Sequence, residues 1–175
     1  VSIPLCRIHS NGVGGSSVIC TKGNKILVGP NSVGAVPGPA CFGRGGTALT
    51  ITDVSLLNGL IDQTTYFGGE LDLDHERANN ALVQAITQPL GVNKAEALIF
   101  AEQAWVDKII ASIRGAVVLD NDVVLAGFGG SGPMLLTKIA EGLGLKKALI
   151  PGMAPVFSAF GIGFSDVSQH YQVDV

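Results

Sequence analysis

The stretch from Val123 to Leu136, VVLAGFGGSGPMLL, constrains the fold of this chain more than any other. Val123, Val124, Leu125 and Ala126 have the length and β-branching of a buried strand, and Gly127, Gly129, Gly130 and Gly132 then remove side chains where the backbone must turn sharply. Pro133 suits the first turn of a following helix, because the N–H it lacks is one a helix leaves unpaired anyway. Strand, glycine turn and helix start together make a place where a nucleotide can lie against bare backbone.

Read literally, Gly127 to Gly132 spells GxGxxG, the dinucleotide-binding fingerprint. That fingerprint also needs an acidic residue about 20 positions on, at the end of the next strand, to hold a ribose hydroxyl. Here the next strand, Lys146 to Ile150, is followed by Pro151 and Gly152, and no carboxylate is available there. A stand-alone NAD site is therefore disfavoured. A plainer alternative is that the glycines merely let a helix pack close to a strand.

At 175 residues the chain suits a single domain with a sizeable core. Charged residues make up only 14%, against about 25% in ordinary soluble domains, and the mean hydropathy of +0.43 needs an explanation. Every apolar stretch is cut by Gly, Pro or charge before it reaches the roughly 18 residues of a membrane span. The N-terminal VSIPLCRIHS lacks the basic region and long apolar run of a secretory leader. What remains is that another domain or subunit covers much of the surface. The chain is expected not to work alone.

A net charge of −3, with one basic doublet at Lys146-Lys147, gives no footprint for nucleic acid. Cys6, Cys20 and Cys41 are too far apart for a CxxC site, and their odd number argues against a disulfide framework, so a reducing cytoplasm is the expected compartment. His9, His75 and His170 show no metal-ligand spacing, and no metal site is read from this chain.

Along the chain, Ile3 to Ile8 reads as a strand leading into a glycine-rich turn. Val18 to Thr21 and Lys25 to Val28 then form a hairpin around Lys22-Gly23-Asn24. Gly29 to Gly46 is rich in Pro and Gly and is placed as one long irregular, functional loop. Asp53 is placed as the cap of a helix running through Leu60. Asp74 caps a helix with Ala78, Ala81, Leu82, Ala85 and Ile86 on one face, ending near Pro89-Leu90-Gly91. Asn93 and Glu96 form a capping box for a second helix whose wide apolar face, Trp105 included, reads as core. After Arg114 the order is strand, glycine turn, helix from Pro133 to Leu143 and strand, which is a βαβ unit. Pro151 to Val167 is expected to form a loop with a short closing helix or strand.

These residues resemble a known family. Ile8 to Ser17 (IHSNGVGGSS), Gly29 to Gly46, Thr52 to Val54, Ala126 to Pro133 (AGFGGSGP) and Pro155 to Ile162 (PVFSAFGI) look like the last third of the hydantoinase A, 5-oxoprolinase and acetone carboxylase family, in order along nearly the whole chain. The resemblance implies the C-terminal part of an α/β ATPase domain of the actin, Hsp70 and sugar-kinase type, which is ribonuclease H-like. It divides the single domain 1–175 into a Gly-rich strand and loop region (1–60), a helical insert (61–115) and a βαβ adenosine-binding unit (116–175). Gly127, Gly129, Gly130 and Ser131 would lie near adenosine, with Gly14 and Gly15 as a second nucleotide-binding turn. No DxGGT-type phosphate loop occurs here. The resemblance therefore implies ATP as cofactor, with Mg or Mn bound mainly by a partner chain. That partner would be a larger hydantoinase A-like subunit carrying the phosphate loops, accompanied by a hydantoinase B-like subunit.

Three departures limit what carries over, one of them Gln103-Ala104-Trp105-Val106 in place of a more polar segment of the family's helix. The family's GAGGGS is GVGGSS here, which keeps Gly14 and Gly15, and Val36 stands where an Asp usually precedes Pro-Gly-Pro. No catalytic residue is assigned. The arrangement is closest to the small split subunit of acetophenone carboxylase, so the leading expectation is a subunit of an ATP-dependent ketone carboxylase, inactive by itself. The alternatives are a subunit of an ATP-dependent cyclic amide hydrolase, and a structural subunit with a vestigial nucleotide groove.

Overall fold

The computed structural model describes residues 9–120 and 122–164 as a mixed α/β fold: an N-terminal hairpin, a helical middle and a βαβ unit. The strand expected at Ile3 to Ile8, with Cys6, and the position of His170 lie outside the described residues.

β1 (Ser17–Lys22) and β2 (Lys25–Ser32) pair antiparallel, with Lys22 opposite Lys25 across the two-residue turn. Gly23 supplies the positive φ, +59°, that such a turn demands. Ile19 and Val28 face each other across the ladder and are both buried. β2 runs past Val28 to Ser32, which corrects the reading of Gly29 to Gly46 as wholly irregular. Ser17 pairs with Ser32, and the Val33 N–H donates to the Ser16 carbonyl at 3.0 Å, so the ladder continues. The remainder folds back on itself around a buried 3-10 turn, Ala40–Phe42.

α1 (Ile51–Leu57) begins at Thr50 and not at Asp53. Thr50 and Asp53 form a reciprocal capping box, which places Asp53 inside the first turn, and Asn58 with the left-handed Gly59 ends the helix short of Leu60. Asp74 caps α2 (His75–Leu82) by accepting the Arg77 N–H at 2.9 Å. The helix continues through a π-helical turn, Val83–Thr87, and α3 (Gln88–Leu90), and stops at Gly91 with φ +64°. Asn93 and Glu96 make the expected capping box of α4 (Lys94–Ala116), whose Ala97, Ala101, Trp105 and Val106 are buried in the main core.

β3 (Leu125–Ala126) and β4 (Ala148–Leu149) are parallel and flank α5 (Leu136–Leu143), so the βαβ reading holds. Its strand is shorter than expected. Val123 donates instead to the Asp120 carbonyl, and β4 ends just before Pro151, which has no N–H to extend the ladder. Pro133 also falls outside α5, because Ser131 to Leu135 form consecutive turns in which Met134 donates to Ser131 and Leu136 to Pro133. A 3-10 turn, Ala154–Val156, leads into α6 (Phe157–Ile162), the expected short closing helix.

Candidate functional site

A cleft of about 440 Å³ opens between the two glycine turns. Gly15 borders it from the turn before β1, and Gly130 and Ser131 border it from the turn after β3. Ile51, Thr52 and Ser55 contribute the first turns of α1, Ile61, Tyr66 and Phe67 the segment after it, and Met134 the approach to α5. Residues more than a hundred positions apart in the chain, Gly15 and Gly130 among them, thus meet in one place.

The backbone explains why glycine occupies these turns. A Cβ on Gly15 would stand 2.8 Å from the Thr52 hydroxyl oxygen, and that hydroxyl donates to the Gly15 carbonyl at 2.9 Å while the Thr52 N–H donates to the same oxygen. The Gly15 turn is thereby clamped onto the start of α1. Gly130 differs, since a Cβ there meets nothing within 4 Å. Its missing side chain leaves open cleft and relieves no clash.

The other sequence-derived candidates take separate positions. Gly14 stands next to the cleft lining, and its N–H donates to the Ser17 hydroxyl at 2.8 Å. Gly129, at φ +84°, donates to the Ala154 carbonyl at 2.7 Å and fixes the turn from behind. Gly127 is buried outside the lining. A Cβ on it would come within 2.9 Å of Leu136 and 3.3 Å of the Gly132 carbonyl, so this glycine serves strand-to-helix packing, the plainer alternative considered for the string. Phe128 turns away from the cleft and packs on Phe157 with ring centroids 5.3 Å apart.

Sequence reasoning missed Ile51, Thr52, Ser55, Ile61, Tyr66, Phe67 and Met134 as lining residues. The available signal was the Gly68-Gly69 pair, which marks a sharp turn just behind two aromatics. Tyr66 is half-buried, and burial pushes its phenol above the ordinary range, the neighbouring Cys41 adding to this and a hydrogen bond with Thr52 opposing it.

The cleft suits a nucleoside. Its volume lies within the roughly 300–1,000 Å³ of small-molecule sites. Ile61, Met134 and the two aromatics offer apolar surface to a base and Ser131 offers a hydroxyl to a sugar, while the Thr52 and Ser55 hydroxyls at the cleft floor donate to the Gly15 and Ile51 carbonyls. None of the ten lining residues is cationic, so a triphosphate's charge must be met by groups beyond this lining. Among the described residues no three His, Cys, Asp or Glu side chains converge as a metal site, and no helix is long and apolar enough to cross a membrane.

Residues 1–171 match the family described as hydantoinase/oxoprolinase. The chain belongs to that family. Within it, the chain is 33% identical over 178 residues to the acetophenone carboxylase gamma subunit of Aromatoleum aromaticum, covering 98% of this chain and 24% of that protein. It is 32% identical to the caprolactamase alpha subunit of Pseudomonas jessenii, covering 95% and 25%. The crystal structure of the ATP-dependent caprolactamase from that organism superposes with a TM-score of 0.81 at 32% identity, over 92% of this chain and 24% of that one. The nucleotide-free acetone carboxylase structure gives 0.74 at 28% identity, over 85% and 22%. The chain thus spans about a quarter of the length of these hydantoinase/oxoprolinase relatives.

Proposed function

We propose that this chain forms the adenosine-binding wall of an ATP-dependent enzyme that activates a carbonyl oxygen by phosphorylation, within an actin, Hsp70 and sugar-kinase type of ATPase fold. The single observation that carries the reading is the convergence of Gly15, Gly130 and Ser131 on one nucleoside-sized cleft. In this reading the base and ribose lie against the Gly130-Ser131 turn, while the Gly14-Gly15 turn faces the phosphates. Cationic groups and Mg or Mn come mainly from a larger hydantoinase A-like polypeptide, accompanied by a hydantoinase B-like subunit.

Two substrate classes fit that chemistry. In ketone carboxylation ATP activates bicarbonate and the enol of a ketone, and the similarity to the acetophenone and acetone carboxylase subunits supports this reading. In cyclic amide hydrolysis ATP phosphorylates the lactam oxygen, and the 0.81 superposition on the caprolactamase structure favours it. Carboxylation remains the leading proposal. Both reactions place the same demand on this chain, which is to hold the nucleotide while its terminal phosphate is transferred.

Partner dependence has its own structural support. Among the described residues the parallel sheet has only β3 and β4, although parallel sheets are ordinarily covered on both faces. Val124, Phe128, Leu149, Ile150, Phe160 and Phe164 around it are exposed. Such a surface fits a further polypeptide segment lying on it.

ATP titration of the assembled enzyme, wild type against Gly130→Val, tests the reading. Loss of at least tenfold in affinity supports it, and unchanged affinity and turnover favour a scaffold with a vestigial groove.

A further inference from the structure

Phe67 is the one non-glycine residue among those described that holds a positive φ. It sits at φ 50°, ψ 42°, the left-handed region that a bulky side chain enters only under constraint. Gly68 and Gly69 follow at +69° and +87°, so three successive residues turn left-handed. Despite that strain the ring gains little burial: Phe67 is 68% exposed and lines the nucleoside-sized cleft. A strained backbone that presents an apolar ring to an open site points to a ligand clamp.

The ring is supported on one side only. Tyr66 meets it edge-on, centroids 4.7 Å apart at 61°, and Tyr66 is in turn held by Phe42 at 5.8 Å. Among the described ring contacts none involves the rest of the Phe67 ring. Tyr66, the other aromatic of the lining, is half-buried and packs against Phe67, so Phe67 presents the more exposed aromatic surface to the cleft.

We propose that Phe67 is a stacking residue for the purine base, selecting a planar heteroaromatic ring in the cleft that it lines together with Gly130. This rests on the reading of the cleft as a nucleotide site. Base-on-aromatic stacking is worth enough to change affinity by about five- to a hundredfold, and it depends on the ring and not on the phosphates.

The test uses the assembled enzyme and three variants, with ATP and inorganic tripolyphosphate as probes. Phe67→Tyr keeps the ring, and its ATP affinity is expected to stay within about twofold of wild type. Phe67→Gly and Phe67→Asn both tolerate the left-handed backbone and lack the ring, so they should fold at least as well and bind ATP at least about fivefold more weakly. Tripolyphosphate affinity should be unchanged in all three. Unchanged ATP affinity in Phe67→Gly and Phe67→Asn, while wild type binds ATP, overturns the stacking role and leaves the cleft reading standing. An equal loss of tripolyphosphate binding also overturns it, because the effect would then be a general distortion of the site. If wild type binds no ATP, the cleft reading itself falls, and this inference with it.

Discussion

The Asp53 carboxylate, fully buried at the start of α1, accepts the backbone N–H of Cys41 at 2.7 Å. The same carboxylate takes the Thr50 N–H at 2.8 Å, the Thr50 hydroxyl at 2.7 Å and the Ala40 N–H at 3.4 Å. One side chain therefore fastens the long Gly- and Pro-rich loop to the helix whose first turns line the cleft. Its charge is offset by donors and by the helix N-terminus, and no ion pair among the described residues involves it.

Replacing Asp53 with Ala leaves at least two buried backbone donors without an acceptor. Each costs about 1–3 kcal/mol, so Asp53→Ala should lose about 3 kcal/mol or more in denaturant unfolding. Asp53→Asn, which keeps one acceptor oxygen, should lose less. A loss under about 1 kcal/mol for Asp53→Ala would show that the loop is held by other contacts.

Cys41 predicts a pH dependence. Burial pushes its thiol far above the ordinary value of 9.0, and the charge of Asp53 and a hydrogen bond with it push the same way. The folded state therefore keeps a proton that the unfolded chain releases. Stability should be fully present below about pH 9 and fall as pH rises, by about 1.4 kcal/mol per unit for this one proton. Cys41→Ala should remove that slope from the alkaline limb of the unfolding curve. The raised phenol of Tyr66 adds a second decline above its ordinary 10.0, and Tyr66→Phe should remove that one.

The glycines divide into two kinds. Gly127→Ala drives a methyl group against Leu136 and should cost about 1–3 kcal/mol of stability while leaving ATP affinity of the folded enzyme unchanged. Gly130→Val meets open space in the fold and should leave stability within about 0.5 kcal/mol, with ATP binding lost. Thermal melts and ATP titrations of the two proteins side by side should show opposite patterns. Matching patterns would contradict the division.

The exposed apolar surface around β3 and β4 should behave as an interface. Leu149→Lys and Ile150→Lys place charges on it without disturbing a buried residue, and each should weaken association with the companion polypeptides, read as loss of co-purification. Full retention of the complex by the double variant would move the interface elsewhere.

The legible parts of this fold are those encoded over four or five residues. Asp74, the Asn93-Glu96 box and the Gly23-Asn24 turn each carry their own local hydrogen bond or backbone requirement, and each stands where the sequence puts it. Asp53 stands in the first turn and not at the cap because Thr50, three residues earlier, caps the helix and forms the box with it, and only the bonds of Asp53 to Ala40 and Cys41 lie beyond a local reading. Val123 and Val124 have strand-like side chains, yet strand length is set by a partner, and β4 is only two residues long. At the cleft, Gly130 and Ser131 were legible from the glycine turn. Phe67 was not, since no local rule places a phenylalanine in the left-handed region.

The central claim is the position of the nucleotide. A structure of the assembled enzyme with a non-hydrolysable ATP analogue should show the base and ribose between Gly130, Ser131 and Phe67, with the phosphates directed toward the Gly14-Gly15 turn and met by groups of a partner polypeptide. Nucleotide bound wholly elsewhere, with this cleft filled by a partner's side chains, would contradict the account.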